Sequence, residues 1–364
     1  MGATAAALER LRDRVELARE SHTPLEICGG GTKRFYGNVP RGEPLELREL
    51  AGITGYEPTE LVVTVLAGTK LEDLESTLAE RGQCLPFEPP RFGAAGTVGG
   101  MVAAGLAGPA RASAGPLRDF VLGVTMLNGM GERLTFGGQV MKNVAGYDVS
   151  RLVAGSMGIL GVICEVSLKV MPVFPASRTL CLELDEAAAV NQLNRWAGAG
   201  FPMNASAWHE GRLYLRLAGG KAAVARALEG AGGREIEPQA AAAWWSDVRD
   251  HRHEFFCIGA AELERGVCSW RIAVPDSAPP IALPGEQFIE WGGGLRWWRS
   301  AAPASQIRSA AERAGGHATL VRAADKSPGA FTAPSAASMR IHKRLKQSFD
   351  PAGIFNPGRL YPEL

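Results

Sequence analysis

The spacing of apolar residues near the N-terminus predicts one helix and one strand. Residues 3–20 carry apolar side chains three or four positions apart, which predicts a short amphipathic helix: Leu8, Leu11, Val15 and Ala18. A brief apolar stretch, Pro24 to Cys28, follows and runs directly into Gly29, Gly30 and Gly31. This pattern predicts a strand that ends in a glycine-rich loop.

Two further segments of the first half predict strands. Glu60 to Leu66 is β-branched and apolar, and after Gly68 the sequence from Thr69 predicts a capping box followed by a helix. Val162 to Val170 alternates apolar and polar positions, which predicts a strand with one face in solvent. The polar positions of that strand are Glu165, Ser167 and Lys169.

Pro172 and Pro175 mark a boundary beyond which strands and helices alternate. The pattern predicts strands at 179–184, 212–217, 267–274, 288–291 and 295–298, and helices at 186–197, 221–228, 240–251 and 304–314. This order favours an α+β domain of the split β-α-β type. A basic helix from Ser338 to Phe349 and a Gly- and Pro-rich tail complete the chain.

Charge and hydropathy exclude several classes of protein. The 39 basic and 38 acidic side chains leave a net charge of +1, which disfavours a nucleic-acid partner. The longest uncharged run, Phe92 to Ala110, holds six glycines and a proline, so it does not predict a membrane span. The N-terminus has charges from Glu9 onward and no apolar signal segment, so we expect a cytoplasmic protein.

The six cysteines predict reduced thiols rather than a metal or disulfide framework. They are widely spaced and form no CxxC pair: Cys28, Cys84, Cys164, Cys181, Cys257 and Cys268. We therefore predict no zinc site and no iron–sulfur cluster on this chain. Any iron–sulfur centre that accepts electrons from it is expected on a partner.

Glycine is the compositional anomaly. The chain has 45 glycines among 364 residues, and sixteen of them lie between Gly93 and Gly161. Neither G-x-G-x-x-G nor G-x-x-x-x-G-K-[ST] occurs, which disfavours a nicotinamide Rossmann site and a P-loop. The segment GGGTKRFYG still offers adjacent backbone N–H groups and two cations to a diphosphate, although a tight turn after a strand is the favoured explanation of this segment taken alone.

Two more glycine-rich segments lie in the same half of the chain. FEPPRFGAAGTVGGMVAAGLAG joins a stiff Pro89-Pro90 turn to closely spaced glycines, and a buried helix edge explains only Gly105 and Gly108 of these. KNVAGYDVSRLVAGSMGILGVI runs from Lys142 to Ile163. Three glycine-rich backbones in one region suggest a long cofactor that lies across several loops.

These three motifs together resemble the FAD-binding domain of the vanillyl-alcohol-oxidase (PCMH-type) flavoproteins. Across the whole chain, including the ending FDPAGIFNPGRL, the sequence is similar to the FAD-binding E subunits of bacterial glycolate oxidase. The resemblance implies an α+β fold with three parts. These are a PCMH-type FAD-binding domain of two small α+β subdomains (1–174), a ferredoxin-like α+β cap domain (175–334), and a C-terminal helix and tail that pack on the FAD domain (335–364).

The resemblance also implies which residues bind FAD. The first diphosphate loop would comprise Gly29, Gly30, Gly31, Thr32, Lys33 and Gly37. The second loop, beside the ribityl chain and the flavin ring, would comprise Pro90, Gly96, Thr97, Gly99 and Gly100. Further positions that match the family motifs are Ser113, Gly115, Arg118, Asp119, Gly161, Val162, Ile163 and Asn356. For Arg118 and Asp119 a surface ion pair is an equal alternative. No histidine lies between Cys28 and Arg118, so we predict that FAD is bound noncovalently.

Departures from the family pattern concern catalysis. The catalytic D subunit of glycolate oxidase carries Gly-Ser-Glu-Gly where this chain has Gly155-Ser156-Met157-Gly158, and its late histidine-rich segment is absent here. His251 and His253 are candidates for metal binding or substrate contact, although a structural role is favoured. Trp291, Trp297 and Trp298 are expected in the core or at an interface. No residue is identified as the catalytic base.

The resemblance implies a subunit of a glycolate dehydrogenase that oxidises glycolate to glyoxylate. A homologous FAD-containing subunit would carry the substrate site, and an iron–sulfur subunit would accept electrons. The flavin of this chain would then be a relay or a structural cofactor, and contact with a membrane would come only through partners. Two alternatives stay open: an independent FAD-dependent 2-hydroxy-acid dehydrogenase, and a flavin-free scaffold subunit of the complex.

Overall fold

The computed structural model describes residues 2–138 and 148–364, and the start of the segment from Lys142 lies outside these ranges. Elements are numbered here in chain order. Those before residue 175 are α1 (Gly2–Ser21), β1 (Leu25–Cys28), β2 (Glu43–Glu46), β3 (Ile53–Glu57), β4 (Val62–Leu66), α2 (Leu71–Ala79), β5 (Gln83–Cys84), α3 (Val98–Ala104), α4 (Arg111–Ala114), β6 (Val121–Leu127), β7 (Arg133–Gly137), α5 (Val149–Val153), β8 (Val162–Lys169) and β9 (Met171–Pro172).

These elements build two small α+β units. Strands β1 and β2 pair in parallel, and α1 packs Leu11 and Val15 against Leu25 and Leu45 of this pair. The other unit is a five-stranded antiparallel sheet in the order β3-β4-β8-β6-β7. Helices α2 and α3 bury their apolar faces against it. Both units agree with the expected architecture of the first part of the chain.

One local expectation for this part is wrong, and a second holds only in part. Lys70, not Thr69, precedes the first residue of α2, and it makes no side-chain cap. The Thr69 hydroxyl instead binds the backbone of Gly52, accepting from its N–H at 2.8 Å. The polar face of β8 is solvated only in part: Glu165 and Lys169 are partly exposed, whereas Ser167 is buried against Thr64, with 3.0 Å between their hydroxyl oxygens.

The elements after residue 175 are β10 (Ala176–Glu183), α6 (Glu186–Gly198), β11 (Met203–His209), β12 (Arg212–Gly219), α7 (Lys221–Ala231), β13 (Arg234–Ile236), α8 (Pro238–Arg249), α9 (Ala260–Glu264), β14 (Cys268–Ala273), β15 (Glu286–Glu290), β16 (Leu295–Ser300), α10 (Ala304–Arg313), β17 (His317–Arg322) and α11 (Ala336–Phe349). Strands β10 to β17 form one eight-stranded sheet in the order β13-β10-β12-β11-β15-β16-β14-β17. Its first half, β13-β10-β12-β11 with α6 and α7, has the antiparallel βαββαβ arrangement of a ferredoxin-like unit.

The two faces of this sheet have different neighbours. Helices α6, α7 and α10 cover one face and form two apolar clusters with it. Helix α8 covers part of the other face. The same cluster also contains Tyr36, Ala104 and Met157 from the first part of the chain. The eight-stranded sheet therefore caps the first part of the molecule through this second face.

The C-terminal segment returns to the first part of the chain, as expected. Lys346 of α11 is buried, and its ammonium donates to the carbonyls of Ile159 and Phe355 and to the Asp350 carboxylate at 2.7–2.8 Å. Phe355 then forms a parallel bridge with Leu25 beside β1. The boundaries at 174 and 334 stay predictions. Within residues 2–138 and 148–364 no helix is both long and apolar enough to cross a membrane.

Candidate cofactor site

A cleft lies where the β1 exit loop, helix α3, the loop before β8 and the C-terminal tail meet. It encloses about 860 Å³ between its walls, open mouth included. The loop after β1 supplies residues 28–34, and α3 supplies Gly99, Gly100, Ala103 and Ala104. Asn356 and Arg359 of the tail complete it. Four segments that are distant in sequence therefore share one elongated site.

The β1 exit loop presents a run of free backbone donors to this cleft. The N–H groups of residues 29–33 donate to no partner among the residues that the structure describes. Gly31 has φ +70°, a left-handed conformation that lets the chain turn sharply after the strand. Adjacent N–H groups in such a loop form a concave site for an anion. The loop is thus a cradle for a phosphate-like group.

Several glycines of the cleft are required by backbone packing, independently of any ligand that their N–H groups contact. A Cβ on Gly30 would lie 1.4 Å from the carbonyl oxygen of Ala95, and one on Gly29 would lie 2.3 Å from Oγ1 of Thr97. A Cβ on Gly99 would lie 2.7 Å from Cβ of Ala67. These glycines allow the two predicted cofactor loops and the end of β4 to touch each other directly.

Gly100 differs from these three glycines. A Cβ there would meet only Oγ1 of Thr97, at 3.2 Å, and the residue lines the cleft. Thr97 itself begins α3, and its hydroxyl accepts from the N–H of Gly100. Because Val98 and Gly99 donate to the carbonyls of Thr69 and Ala67, the start of α3 forms a wall of the cleft rather than a second set of donors.

Within the described ranges, two basic side chains that face the cleft, Lys33 and Arg359, form no ion pair. Burial lowers the pKa of Lys33 to about 8, and its Nζ contacts the Arg91 carbonyl at 3.4 Å and the ring of Phe92. Burial also lowers the pKa of Arg359 to about 10, and its guanidinium donates to backbone carbonyls, including that of Arg34 at 3.0 Å. Bound anionic oxygen beside Lys33 would stabilise its charged form.

Asn356 connects two segments of the backbone at the floor of the cleft. Its Oδ1 accepts from the N–H of Ile27 at 2.9 Å, and its Nδ2 donates to the carbonyl of Met157 at 2.7 Å. The side-chain amide therefore joins β1 to the loop before β8. Asn356 lies in the cleft as predicted, but its polar atoms already bind protein backbone, which makes it a positioning residue.

The structure brings eleven of the nineteen predicted cofactor residues to the lining of this cleft. They are Gly29, Gly30, Gly31, Thr32, Lys33, Thr97, Gly99, Gly100, Gly161, Ile163 and Asn356. It does not bring eight others there: Gly37, Pro90, Gly96, Ser113, Gly115, Arg118, Asp119 and Val162. Val162 points into the core beneath the cleft, and Pro90 lines a neighbouring cavity. Their contact with the cofactor stays a prediction.

Arg118 and Asp119 are exposed and distant from the cleft lining. Asp119 pairs with Arg151 at 3.5 Å rather than with Arg118. Ser113 donates its hydroxyl to the Asn204 carbonyl at 2.8 Å, which joins α4 to β11. These contacts favour the structural alternative, with a different partner from the one expected.

The sequence analysis missed two cleft residues that carry charge. Glu26 is buried at the end of β1 and pairs with Arg34 at 2.8 Å. Arg359 is the single basic residue in the tail GIFNPGRLYPEL. Because this tail was expected to return to the FAD domain, its one cation could have been predicted to line the cleft. Met157, which replaces an expected glutamate, also lines the cleft with φ +56°.

A smaller, narrow cavity adjoins the cleft at the second face of the eight-stranded sheet; its space of about 410 Å³ includes the open mouth, and its interior has room for about one water molecule. Tyr36, Pro90 and Phe92 line it from the first part of the chain. Arg271 and Glu290 line it from strands β14 and β15. Both residues escaped the sequence analysis.

The histidine pair lies beside this cavity. His251 stacks on Phe256 at 4.2 Å between ring centroids, and burial lowers its pKa to about 3. His253 accepts from the N–H of Phe255 through Nδ1. The two rings share Phe256 as a neighbour but otherwise contact different side chains. No metal-binding group of three or more His, Cys, Asp or Glu occurs in the described ranges. The three tryptophans are buried, as expected: Trp291, Trp297 and Trp298.

Comparisons with known proteins agree with this geometry. A family model described as an FAD binding domain matches residues 3–137. The glycolate oxidase subunit GlcE of Escherichia coli (strain K12) is 44% identical over 356 residues, which is 98% of each chain. The D-lactate dehydrogenase of Anaerostipes hadrus is 32% identical over 170 residues, 46% of this chain and 35% of that protein.

Other relatives match more distantly. The glycolate oxidase subunit GlcD of Bacillus subtilis (strain 168) is 29% identical over 166 residues, 45% of this chain and 35% of that one. A solved structure of alkyldihydroxyacetonephosphate synthase has a TM-score of 0.66 at 15% identity, and the match covers 96% of this chain and 74% of that chain. This likeness concerns the fold alone.

The described residues fit the cofactor that these comparisons indicate. A loop of free N–H groups beside Lys33 suits a diphosphate, and the cleft continues past Gly100 toward the second face of the cap sheet. The protein is an FAD-dependent oxidoreductase. Its similarity over nearly its full length shows that the chain belongs to the family of the glycolate oxidase subunit GlcE.

Proposed function

We propose that this chain is the FAD-binding subunit of a multi-subunit glycolate dehydrogenase that oxidises glycolate to glyoxylate. In this proposal the chain holds a second flavin, a homologous FAD-containing subunit carries the principal substrate site, and an iron–sulfur subunit accepts the electrons. The observation that carries the proposal is the 44% identity to a glycolate oxidase subunit over 98% of the chain.

The cleft residues give the FAD diphosphate a specific position in this proposal. The backbone N–H groups of residues 29–33 would donate to its oxygens, and Lys33 would supply the countercharge. Gly100 would let the cofactor lie directly on α3. FAD, when bound, accepts two electrons from a hydroxy acid and can pass them on singly. Noncovalent attachment is part of the proposal.

The division of labour rests on what the cleft lacks. Met157 occupies the position where the catalytic relatives are expected to carry a glutamate, and its thioether neither transfers protons nor binds metal as an acid would. Contact with a membrane would arise through the partner subunits.

Flavin counting on purified assemblies tests the proposal. This chain should be expressed alone and with its homologous and iron–sulfur partners, and glycolate turnover should be measured with an artificial acceptor. We expect one FAD on the isolated chain, two FAD in the complex, and turnover only when the homologous subunit is present.

Three outcomes would contradict the proposal in different ways. Glycolate turnover by the isolated yellow chain would favour an independent 2-hydroxy-acid dehydrogenase. A colourless chain whose melting temperature does not change when FAD is added would indicate a flavin-free scaffold subunit, because a bound ligand must stabilise the folded state. A chain that never co-purifies with either partner would remove the multi-subunit assignment.

A further inference from the structure

Lys326 binds the backbone turn that directly follows the cradle, residues 34–38. It lies in the loop between β17 and α11 and does not line the cleft. Its ammonium donates to the carbonyl of Phe35, to that of Gly37 at 2.8 Å and to that of Val321 at 3.0 Å. An ammonium has three N–H donors, which matches these three acceptors. One side chain therefore joins the end of β17 to the turn.

Arg359 of the tail binds the same turn at both of its ends. Its guanidinium donates to the carbonyl of Arg34 at 3.0 Å and to that of Asn38. Because each peptide unit is planar, a fixed carbonyl also fixes the direction of the next N–H group. Lys326 and Arg359 together thus determine the path of the backbone after Lys33, the last residue of the cradle.

These cations lack carboxylate partners. Neither Lys326 nor Arg359 forms an ion pair within the described ranges, and Arg322, which lies 3.8 Å from the ring centre of Phe35, forms none there either. Burial and the charges of Arg359 and Arg322 lower the pKa of Lys326 to about 8. The three cations repel one another, and an anion bound in the cradle would offset this repulsion.

The loop between β17 and α11 makes two further contacts with the turn. The N–H of Ala330 donates to Oδ1 of Asn38 at 2.7 Å, and the ring of Phe331 meets that of Tyr36 edge-on, with 5.6 Å between centroids. Among the described residues, none from 175–334 lines the cleft. The contacts with the turn therefore give the cap an indirect connection to the cradle.

We infer that Lys326 is a positioning residue for FAD: it fixes the turn after the cradle, and it thereby makes FAD affinity depend on a docked cap. The inference rests on the proposed position of the FAD diphosphate at residues 29–33. It goes beyond that proposal, because it gives the cap a role in cofactor binding whichever subunit oxidises the substrate. By linkage, bound FAD also strengthens the docking of the cap.

Titration of the full apo-chain with FAD tests the inference, with flavin fluorescence as the readout. Lys326→Met removes all three donors and keeps an unbranched side chain of similar length, so we expect FAD to bind at least tenfold more weakly. Lys326→Arg keeps the charge and several donors and should weaken binding less. At saturating FAD, the backbone amides of residues 29–38 should exchange hydrogen for deuterium faster in Lys326→Met, whereas those of β10 and β12 should not.

Arg308→Met is the matched control for a loss that is merely structural. Arg308 of α10 donates to the carbonyls of Pro328 at 2.8 Å and Gly329 at 2.6 Å, in the same loop as Lys326, but these bonds stay within the cap. Its replacement should lower apo stability in chemical denaturation and leave FAD affinity within about twofold of the wild type. An equal loss of FAD affinity in Arg308→Met and Lys326→Met would overturn the inference, because it would show that Lys326 only stabilises its loop.

Wild-type FAD affinity in Lys326→Met would also overturn the inference. Lys33→Gln, measured beside it, separates the two proposals: if this variant binds FAD weakly, the diphosphate position stands without the role of Lys326, and if it binds FAD normally, both fail. A wild-type chain that binds no FAD likewise overturns both. If Lys326→Met does not fold, Lys326→Gln replaces it, and unweakened FAD binding by Lys326→Gln overturns the inference.

Discussion

The cleft and the neighbouring cavity differ in how their residues come together. The cleft takes most of its polar contacts from one loop, residues 29–34, in which consecutive residues offer backbone N–H groups and cations. The cavity takes Arg271 and Glu290 from β14 and β15, which β16 separates in the sheet, and encloses them under residues near position 36. A site made of consecutive residues leaves a motif in the sequence, whereas a site made by covering a sheet leaves none.

Glycine has two roles in the cleft, and their comparison sharpens this difference. Gly30 and Gly99 allow backbone to meet backbone, whereas Gly100 leaves one wall open. A glycine-rich motif therefore indicates that the backbone is closely approached by another group, but it does not indicate whether that group is protein or ligand. A substitution can separate ligand contact from packing only where the space beside the glycine is free of protein.

The largest effect is expected from Gly30→Val. Its Cβ would lie 1.4 Å from the Ala95 carbonyl oxygen, so backbone must shift, and the free energy of unfolding should fall by about 4 kcal/mol or more even without FAD. Chemical denaturation of the apo-protein measures this. Gly100→Ala is the matched control: we expect unchanged apo stability and an FAD affinity at least tenfold weaker. Equal stability losses in both variants would contradict the two roles.

Glu290, which lines the cavity, should make the stability of the folded protein depend on pH. Burial raises its pKa to about 7, despite the Trp297 donor and Arg271, while Glu88 reinforces the rise. The folded state then holds a proton that the unfolded state releases near its ordinary pKa of 4.5. Stability should therefore fall by about 3 kcal/mol as the pH rises from 4.5 to 7, and then level off.

Denaturation of the wild type and of Glu290→Gln across this pH range measures that slope. The variant cannot release a proton at this position, so the difference between the two proteins should shrink as the pH falls. A difference that stays constant from pH 4.5 to 8 would show that Glu290 is ionised throughout.

Lys33→Gln should act on the cofactor rather than on the fold. Lys33 has no acidic partner within the described ranges, and burial already disfavours its charge, so removal should not lower apo stability. We expect the dissociation constant for FAD to rise about tenfold, or about 1.4 kcal/mol. Flavin fluorescence titration measures it, with exposed Lys221→Gln as the control. A destabilised apo-protein with normal FAD affinity would show that Lys33 stabilises the fold and does not bind the cofactor.

The smallest effect is expected outside both sites. Asp119 and Arg151 form a half-exposed ion pair at 3.5 Å, so Asp119→Asn should change stability by less than about 0.5 kcal/mol. Neither this variant nor Arg118→Gln should alter FAD content, which absorbance at the flavin maximum reports. Loss of FAD from either variant would show that the substituted residue contributes to the cofactor site.

Strong local patterns predicted much of the fold. Helix α1, strand β8 and helix α11 lie within two residues of the predicted segments, because each has a continuous apolar period. Among the strands that the pattern did not predict are β2, β3, β7, β11, β13 and β17. MNASAWH and REI have too few β-branched or alternating residues, and they are strands because a neighbouring strand offers hydrogen bonds. The prediction of a Thr69 helix cap was also wrong, because the Thr69 hydroxyl accepts a hydrogen bond from the N–H of Gly52 instead.

The sequence by itself determined the strand-to-glycine turn, the run of donors from 29 to 33 and the family to which the chain belongs. These features are local, because consecutive residues are held together by the chain itself. Only the tertiary structure decided that Arg271 and Glu290 are enclosed and that Gly30 packs on Ala95. Alternation along a strand determines which face carries a residue, but the element that covers that face determines whether its charge meets water, protein or a ligand.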